Sequence, residues 1–138
     1  VETPCVSSDY FPTISSLVGV PLAPRPYDGI DILPILKGTQ QKRERKIGFR
    51  FGSDRTLMSD QFKLVHNVGN LKRRRSDNGK VPVAVFELYD LKTDPSEKKN
   101  LIDFHPRVAA AMRDELAKFV NSCEASAAGE DYKEPGGQ

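Results

Sequence analysis

Apolar residues along this chain recur in two periods, and each period marks a different element. Ile47, Phe49 and Phe51 alternate with Lys46, Gly48 and Arg50, which predicts a strand with one buried face. Thr56 to Ser59, the polar pair Asp60-Gln61 and Phe62 to Val65 then predict a tight hairpin with Phe62 and Leu64 turned inward. A polar, basic stretch from Asn67 to Lys80 leads into a further strand over Val81 to Leu91. In that strand Ala84, Phe86, Leu88 and Asp90 share one face, while Val83, Val85, Glu87, Tyr89 and Leu91 share the other. Strands that follow one another directly in sequence argue for a four-stranded antiparallel sheet.

The helical period appears twice. Ser8 or Asp9 can cap a helix in which Pro12 falls early enough to be tolerated. Phe11, Ile14, Leu17 and Val18 form its stripe, and Gly19 supplies a left-handed stop. At the other end His105 is placed to cap and Pro106 to start a helix. Its stripe is Val108, Met112, Leu116, Phe119 and Cys123, with Ala109 to Ala111 adding propensity. This stripe is expected to lie across one face of the sheet. Between the first helix and the sheet, Pro21, Pro24 and Pro26 predict an extended loop. Ile30, Ile32, Leu33, Ile35 and Leu36 then form too apolar a run to be left in water. The fold class predicted is α+β: a four-stranded antiparallel sheet against a C-terminal helix, with an N-terminal helix and long loops. The globular part spans 1–123, and 124–138 reads as a disordered tail because its composition collapses to Ala, Ser, Gly and charge.

Composition narrows the function. The 138 residues allow one domain that buries roughly two thirds of its unfolded surface. No apolar run approaches the roughly 18 residues a membrane span needs, so no membrane partner is expected. A net charge of +2 is too small to argue for nucleic acid. The two basic runs, Lys42 to Lys46 and Lys72 to Arg75, have no interleaved aromatic residues and read as solvated loops. Cys5 and Cys123 make neither a disulfide framework nor a zinc site, and two free buried thiols are the simplest expectation.

The densest signal is the turn after the last strand. Asp94-Pro95 favours a turn, because a residue before proline is pushed out of the helical region and proline presets its own φ. As a string, Leu88-Tyr89-Asp90-Leu91, Asp94-Pro95-Ser96-Glu97 and Asn100-Leu101 resemble the C-terminal segment of the sulfatase family. Two earlier segments resemble the same family in the same order. Asp9-Tyr10-Phe11-Pro12-Thr13-Ile14 with Leu17-Val18-Gly19 is similar to the helix after the catalytic domain. Tyr27-Asp28-Gly29-Ile30-Asp31-Ile32-Leu33-Pro34-Ile35-Leu36-Lys37-Gly38 is similar to the loop that follows it, with Asp31 where serine is common. The resemblance covers about residues 1–123.

What the resemblance implies is bounded by what it lacks. Sulfatases carry a Cys/Ser-x-Pro-x-Arg nucleophile that becomes formylglycine, and neither Cys5-Val6-Ser7-Ser8 nor Cys123-Glu124-Ala125-Ser126 matches it. The resemblance therefore implies a C-terminal subdomain whose partner is the parent's N-terminal catalytic domain. Calcium and formylglycine belong to that other domain, and no cofactor belongs to this one. The parent is implied to be a sulfuric ester hydrolase, exported to a periplasmic, lysosomal or extracellular compartment, while this chain alone is inactive. Ser76-Asp77-Asn78-Gly79 has the letters of the family's late metal motif, but it stands after the first two segments instead of before them. It reads as a tight turn, and one Asp-Asn pair supplies too few oxygens for Ca²⁺.

Few single residues invite chemistry. His66 and His105 lack partners in sequence and read as surface or capping groups. Tyr89 is expected to pack and Asp90 to accept turn hydrogen bonds. Arg50 and Arg55 flank the first strand-to-strand turn and are the candidates for the rim of a substrate pocket. Three classes of function follow: the inert sulfatase subdomain, a binding module for an acidic glycan or nucleic acid through the basic loops, and an autonomous hydrolase. The bare apolar surface of the N-terminal third further predicts that the isolated chain self-associates, or that its first ~40 residues are mobile for want of anchoring contacts.

Overall fold

The computed structural model describes residues 2–67 and 85–132. The expected basic loop, the Ser76–Gly79 turn and the first residues of the last strand lie outside the described residues. So do residues 133–138. In chain order the elements are a 3₁₀ turn at Ser7–Asp9, α1 at Tyr10–Val18, α2 at Leu33–Leu36, β1 at Ile47–Phe51, β2 at Asp54–Met58, β3 at Phe62–Asn67, β4 at Val85–Asp90, α3 at Pro106–Ala127 and a 3₁₀ turn at Glu130–Tyr132. The strands form one antiparallel sheet in the order β1-β2-β3-β4, so the α+β arrangement is the predicted one.

The register sets two rows across the sheet on one face. Gly48, Leu57, Leu64 and Leu88 stand opposite one another from β1 to β4, and Arg50, Arg55, His66 and Phe86 form the next row. Side chains directly across an antiparallel pair point the same way, so both rows face one side. The three leucines of the first row meet Ala109, Met112, Leu116 and Val120 of α3, and this cluster is the core. The stripe of α3 is thus turned slightly from the predicted one. Ala109 and Val120 are buried, whereas Val108 and Phe119 pack at its margin and Cys123 is half-buried. The small Ala109 lets the helix come close to the sheet. The helix also runs on past Cys123 to Ala127, into the segment read as a disordered tail, because Glu124 to Ala127 contains no residue that stops a helix.

Strand β1 departs from its pattern. Gly48 and Arg50 face α3, which puts Ile47, Phe49 and Phe51 on the far side of the sheet. Ile47 is buried there, but Phe49 is 47% exposed and Phe51 89% exposed. The alternation marks the strand correctly and its covered face wrongly. Gly48 explains the inversion: a Cβ on it would sit 2.7 Å from the ring of Phe119, so the helix fits against β1 only over a residue without a side chain.

A buried ion pair fixes the N-terminal third to the sheet. Asp9 is fully buried, and both its oxygens accept from Arg43, from Nη1 at 2.7 Å and from Nη2 at 2.8 Å. The same carboxylate accepts the backbone N–H groups of Val6 and Ile30, each at 2.9 Å. Asp9 therefore does not cap α1 through its side chain. It ties together three stretches of chain, and Arg43, expected in a solvated basic run, is buried beside it. Two more members of that run are also engaged. Arg45 donates to the Tyr27 carbonyl, and Lys46 pairs with Glu115 of α3 at 2.6 Å. Gly29 makes the approach possible, since a Cβ there would lie 1.9 Å from the Ser8 carbonyl oxygen. Thr13 adds a second tie, donating to the Asp9 carbonyl at 2.6 Å and accepting the Ile32 N–H at 3.0 Å. Asp31 accepts the Leu33 N–H at 2.8 Å and so opens α2, a turn of helix where the sequence suggested a loop.

Other local expectations divide. Gly19 closes α1 with φ 71°, as the left-handed stop requires. His105 precedes α3 but makes no side-chain cap; its carbonyl accepts the Ala109 N–H, and its ring lies 5.4 Å from that of Phe62. Both cysteines are free thiols, yet Cys5 is exposed instead of buried. Burial pushes the half-buried Cys123 thiol up, away from the reactive thiolate.

Two stability measurements test this packing. Leu116→Ala should cost about 2–5 kcal/mol in denaturant unfolding, and Phe51→Ala should be close to neutral; a Leu116 loss under about 0.5 kcal/mol would remove α3 from the sheet. Breaking the ion pair by Arg43→Ala should cost about 3–5 kcal/mol, because it strands a buried carboxylate. Burial alone would raise the pKa of Asp9, but the Arg43 guanidinium and the Ile30 and Val6 amides together hold it below the ordinary 3.8. A depressed carboxyl stabilises the fold above its unfolded pKa, and that contribution is lost as pH falls through the folded value. Wild type should therefore lose stability in acid more steeply than Arg43→Ala. Parallel pH curves for the two proteins would mean that the pair does not carry the acid dependence.

Candidate functional site

The three segments that resemble sulfatases turn out to be architectural. In the last of them, Asp90 is buried at the end of β4. It accepts from Gln61 Nε2 at 2.9 Å and from the Lys92 N–H at 3.0 Å. The Gln61 hydrogen bond, then the Lys92 and Thr93 backbone, outweigh burial and hold its carboxyl below the usual range. Asp94 accepts the Lys99 N–H at 2.8 Å, and Asn100 Oδ1 accepts the N–H groups of Leu88 and Ile102, each at 3.0 Å. Ile102, instead of Leu101, reaches the core cluster. Glu97 holds a positive φ of 54°, uncommon for a residue with a side chain, and pairs with Lys63 of β3 at 2.6 Å. Asp90, Asp94, Glu97 and Asn100 of this segment each serve a backbone amide or a neighbouring strand.

Arg50 and Arg55, the expected rim pair, do come together, facing each other across the β1–β2 pair. They face α3. Arg50 lies 3.6 Å from Glu124, and Arg55 donates through Nη1 to the Ser53 carbonyl at 2.8 Å. His66 continues the row and stacks on Phe86, with centroids 4.1 Å apart and planes 6° apart. The sequence places Arg50 and Arg55 at one turn but gives no sign that His66 and Phe86 join them, because that depends on the register of β3 and β4.

For metal chemistry, the described residues contain no group of three or more His, Cys, Asp or Glu placed to hold an ion. They do not fit a Ca²⁺ site, which takes six to eight oxygens. No described helix is long and apolar enough to cross a membrane.

The largest unexplained feature is a surface. Helix α1 buries Pro12 and Ser15 against the rest of the chain and turns its apolar stripe outward, with Phe11 55%, Ile14 57% and Leu17 66% exposed. Val18, Val20 and Leu22 continue the exposed apolar run, and Leu36 of α2 is exposed as well. The polar side of α1 faces inward because Asp9 and Thr13 lie there, with their partners on Arg43 and the Ile30–Ile32 backbone. A helix of a self-contained domain shows the reverse orientation.

No family model and no curated protein matches the chain. Solved structures do match it in fold. A 2-O GAG sulfatase is 23% identical, with 87% of this chain and 26% of that one covered at a TM-score of 0.56. A Bacteroides thetaiotaomicron protein, from the locus that orchestrates metabolism of multiple glycosaminoglycans, is 23% identical over 85% of this chain and 24% of its own, at 0.57. The protein Ps i-CgsB is 20% identical over 85% of this chain and 24% of its own, at 0.62. The chain thus spans about a quarter of the length of the structures it matches. Its sheet and helices form a fold that sulfatases carry within a much longer chain.

Proposed function

We propose that this chain is the C-terminal subdomain of a sulfatase-like hydrolase, which docks on the catalytic domain, completes its fold and shapes the rim of its pocket. The observation that carries this reading is the inverted helix α1, whose apolar stripe faces away from its own domain. Contiguous apolar surface of this kind is unusual on a monomer and marks an interface. Its occupant is the remaining three quarters of a chain the size of the matched structures. The parent would hydrolyse sulfate esters with a formylglycine nucleophile and a calcium ion, both supplied by that domain, and would act in an exported compartment. The glycosaminoglycan chemistry named for the matched structures makes sulfated sugars the substrate class to try first.

The alternative, a stand-alone module that grips an acidic glycan or nucleic acid through its basic loops, finds less support. Arg43, Arg45 and Lys46 already hold the fold together, so the first basic run is not a free binding strip.

Expressed alone, the chain should self-associate through the uncovered stripe. Light scattering should then show Ile14→Asp combined with Leu17→Asp returning it to a monomer of unchanged secondary structure. A wild-type chain that stays monomeric at high concentration would contradict the docking surface. The same preparation should release no phenol from an aryl sulfate, with or without Ca²⁺. Hydrolysis that persists through purification would give the chain a site of its own.

A further inference from the structure

The second row on the covered face of the sheet ends in a cleft. Arg55, His66 and Phe86 form one wall, and α3 passes over them with Arg113, Leu116 and Glu124. The space between is ≈ 330 Å³, within the range of small-ligand sites. Its lining is partly apolar: the rings of His66 and Phe86 stack face to face, and the Arg113 guanidinium carbon lies 4.5 Å from the Phe86 centroid. Two arginines from two elements thus line the same space beside this aromatic pair, and an arginine fork matches the oxygens of sulfate and phosphate. Of the five N–H donors of a guanidinium, Arg55 gives one from Nη1 to the Ser53 carbonyl. Glu124 is the acid among the lining residues, and it is drawn aside toward Arg50.

His66 reports the field of the cleft. Burial first, then the charges of Arg55 and Arg113, hold its pKa below the ordinary 6.5, while Asp54 acts in the opposite direction. Burial opposes a charge of either sign, but the part of the shift that comes from Arg55 and Arg113 is a positive potential, which attracts an anion.

We propose that this cleft binds a tetrahedral oxyanion, the sulfate or phosphate group of a small ester, between Arg55 and Arg113, with the apolar remainder of the ester against the His66–Phe86 pair. The site lies within this chain, faces α3, and is independent of the docking surface on α1. Its existence does not rest on the subdomain reading.

The test is an NMR titration of the 138-residue chain, observed at the His66 ring, with sodium sulfate, sodium phosphate, phenyl sulfate and phenyl phosphate at constant ionic strength. Saturable shifts are expected, tighter for the phenyl esters than for the inorganic ions, and the sulfate and phosphate arms identify which oxyanion the forks prefer. Bound anion should raise the His66 pKa, so affinity should increase as pH falls and the ring becomes a third cation. Arg113→Gln should weaken binding about tenfold, the ordinary effect of losing one charge-assisted hydrogen bond. Glu124→Gln should tighten it, a direction that mere damage to packing does not produce. Shifts that never saturate and are matched by chloride would overturn the proposal, as would equal affinity in wild type and both variants. If Arg113→Gln fails to fold, Glu124→Gln decides alone, and unchanged or weaker binding in it counts against the site.

Discussion

One carboxylate organises the N-terminal third of this protein. Asp9 is out of contact with water and is matched to a guanidinium and two backbone amides drawn from residues 6, 30 and 43. Removing such a charge from water is costly, and only a full set of partners in good geometry offsets that cost. The geometry in turn dictates much else. Gly29 must lack a side chain for Ile30 to reach Asp9, and α1 must turn its polar edge inward. The outward apolar stripe is a consequence of this inward polar one.

The sheet was readable because its determinants are local. Alternation around Leu57, Leu64 and Leu88, together with polar residues at Asp60-Gln61, is enough to place three of the strands and their order. At that hairpin Ser59, not the Asp-Gln pair, accepts the key hydrogen bond, from the Phe62 N–H at 2.8 Å. The face of β1 was not readable, because it depends on which neighbour needs room. Phe119 arrives from more than seventy positions downstream and claims the space above Gly48, which sends Phe49 and Phe51 to the other side. Arg43 was misread for a related reason. A basic run looks solvated unless the partner that buries one of its members is known, and that partner is Asp9, a residue with a ready local explanation as a helix cap.

The resemblance to sulfatases and the likeness in fold are informative about shape and silent about chemistry. Asp90, Asp94 and Asn100 are recognisable letters because each closes a backbone hydrogen bond that the turn needs. The row of Arg50, Arg55 and His66 has no such signature, since it exists only once β1, β2 and β3 are in register. Groups that build the fold leave marks in a short stretch of sequence, whereas groups that create a field in a cleft are scattered along it.

The strand order has a kinetic consequence. Strands β1, β2 and β3 pair with their immediate neighbours in sequence, so each contact closes a short loop. The Asp9–Arg43 pair closes one of 34 residues and gains nothing until the 3₁₀ turn, the Gly29 loop and the entrance to β1 are all in place. Assembly should therefore run from the hairpins outward, with the N-terminal segment docking last and opening first. Pulse-labelled exchange that found the Ile30 amide protected before those of Leu57 and Leu64 would reverse this order. Among the described elements, the segment that presents the apolar helix to a larger partner is then the one most easily released from its own domain.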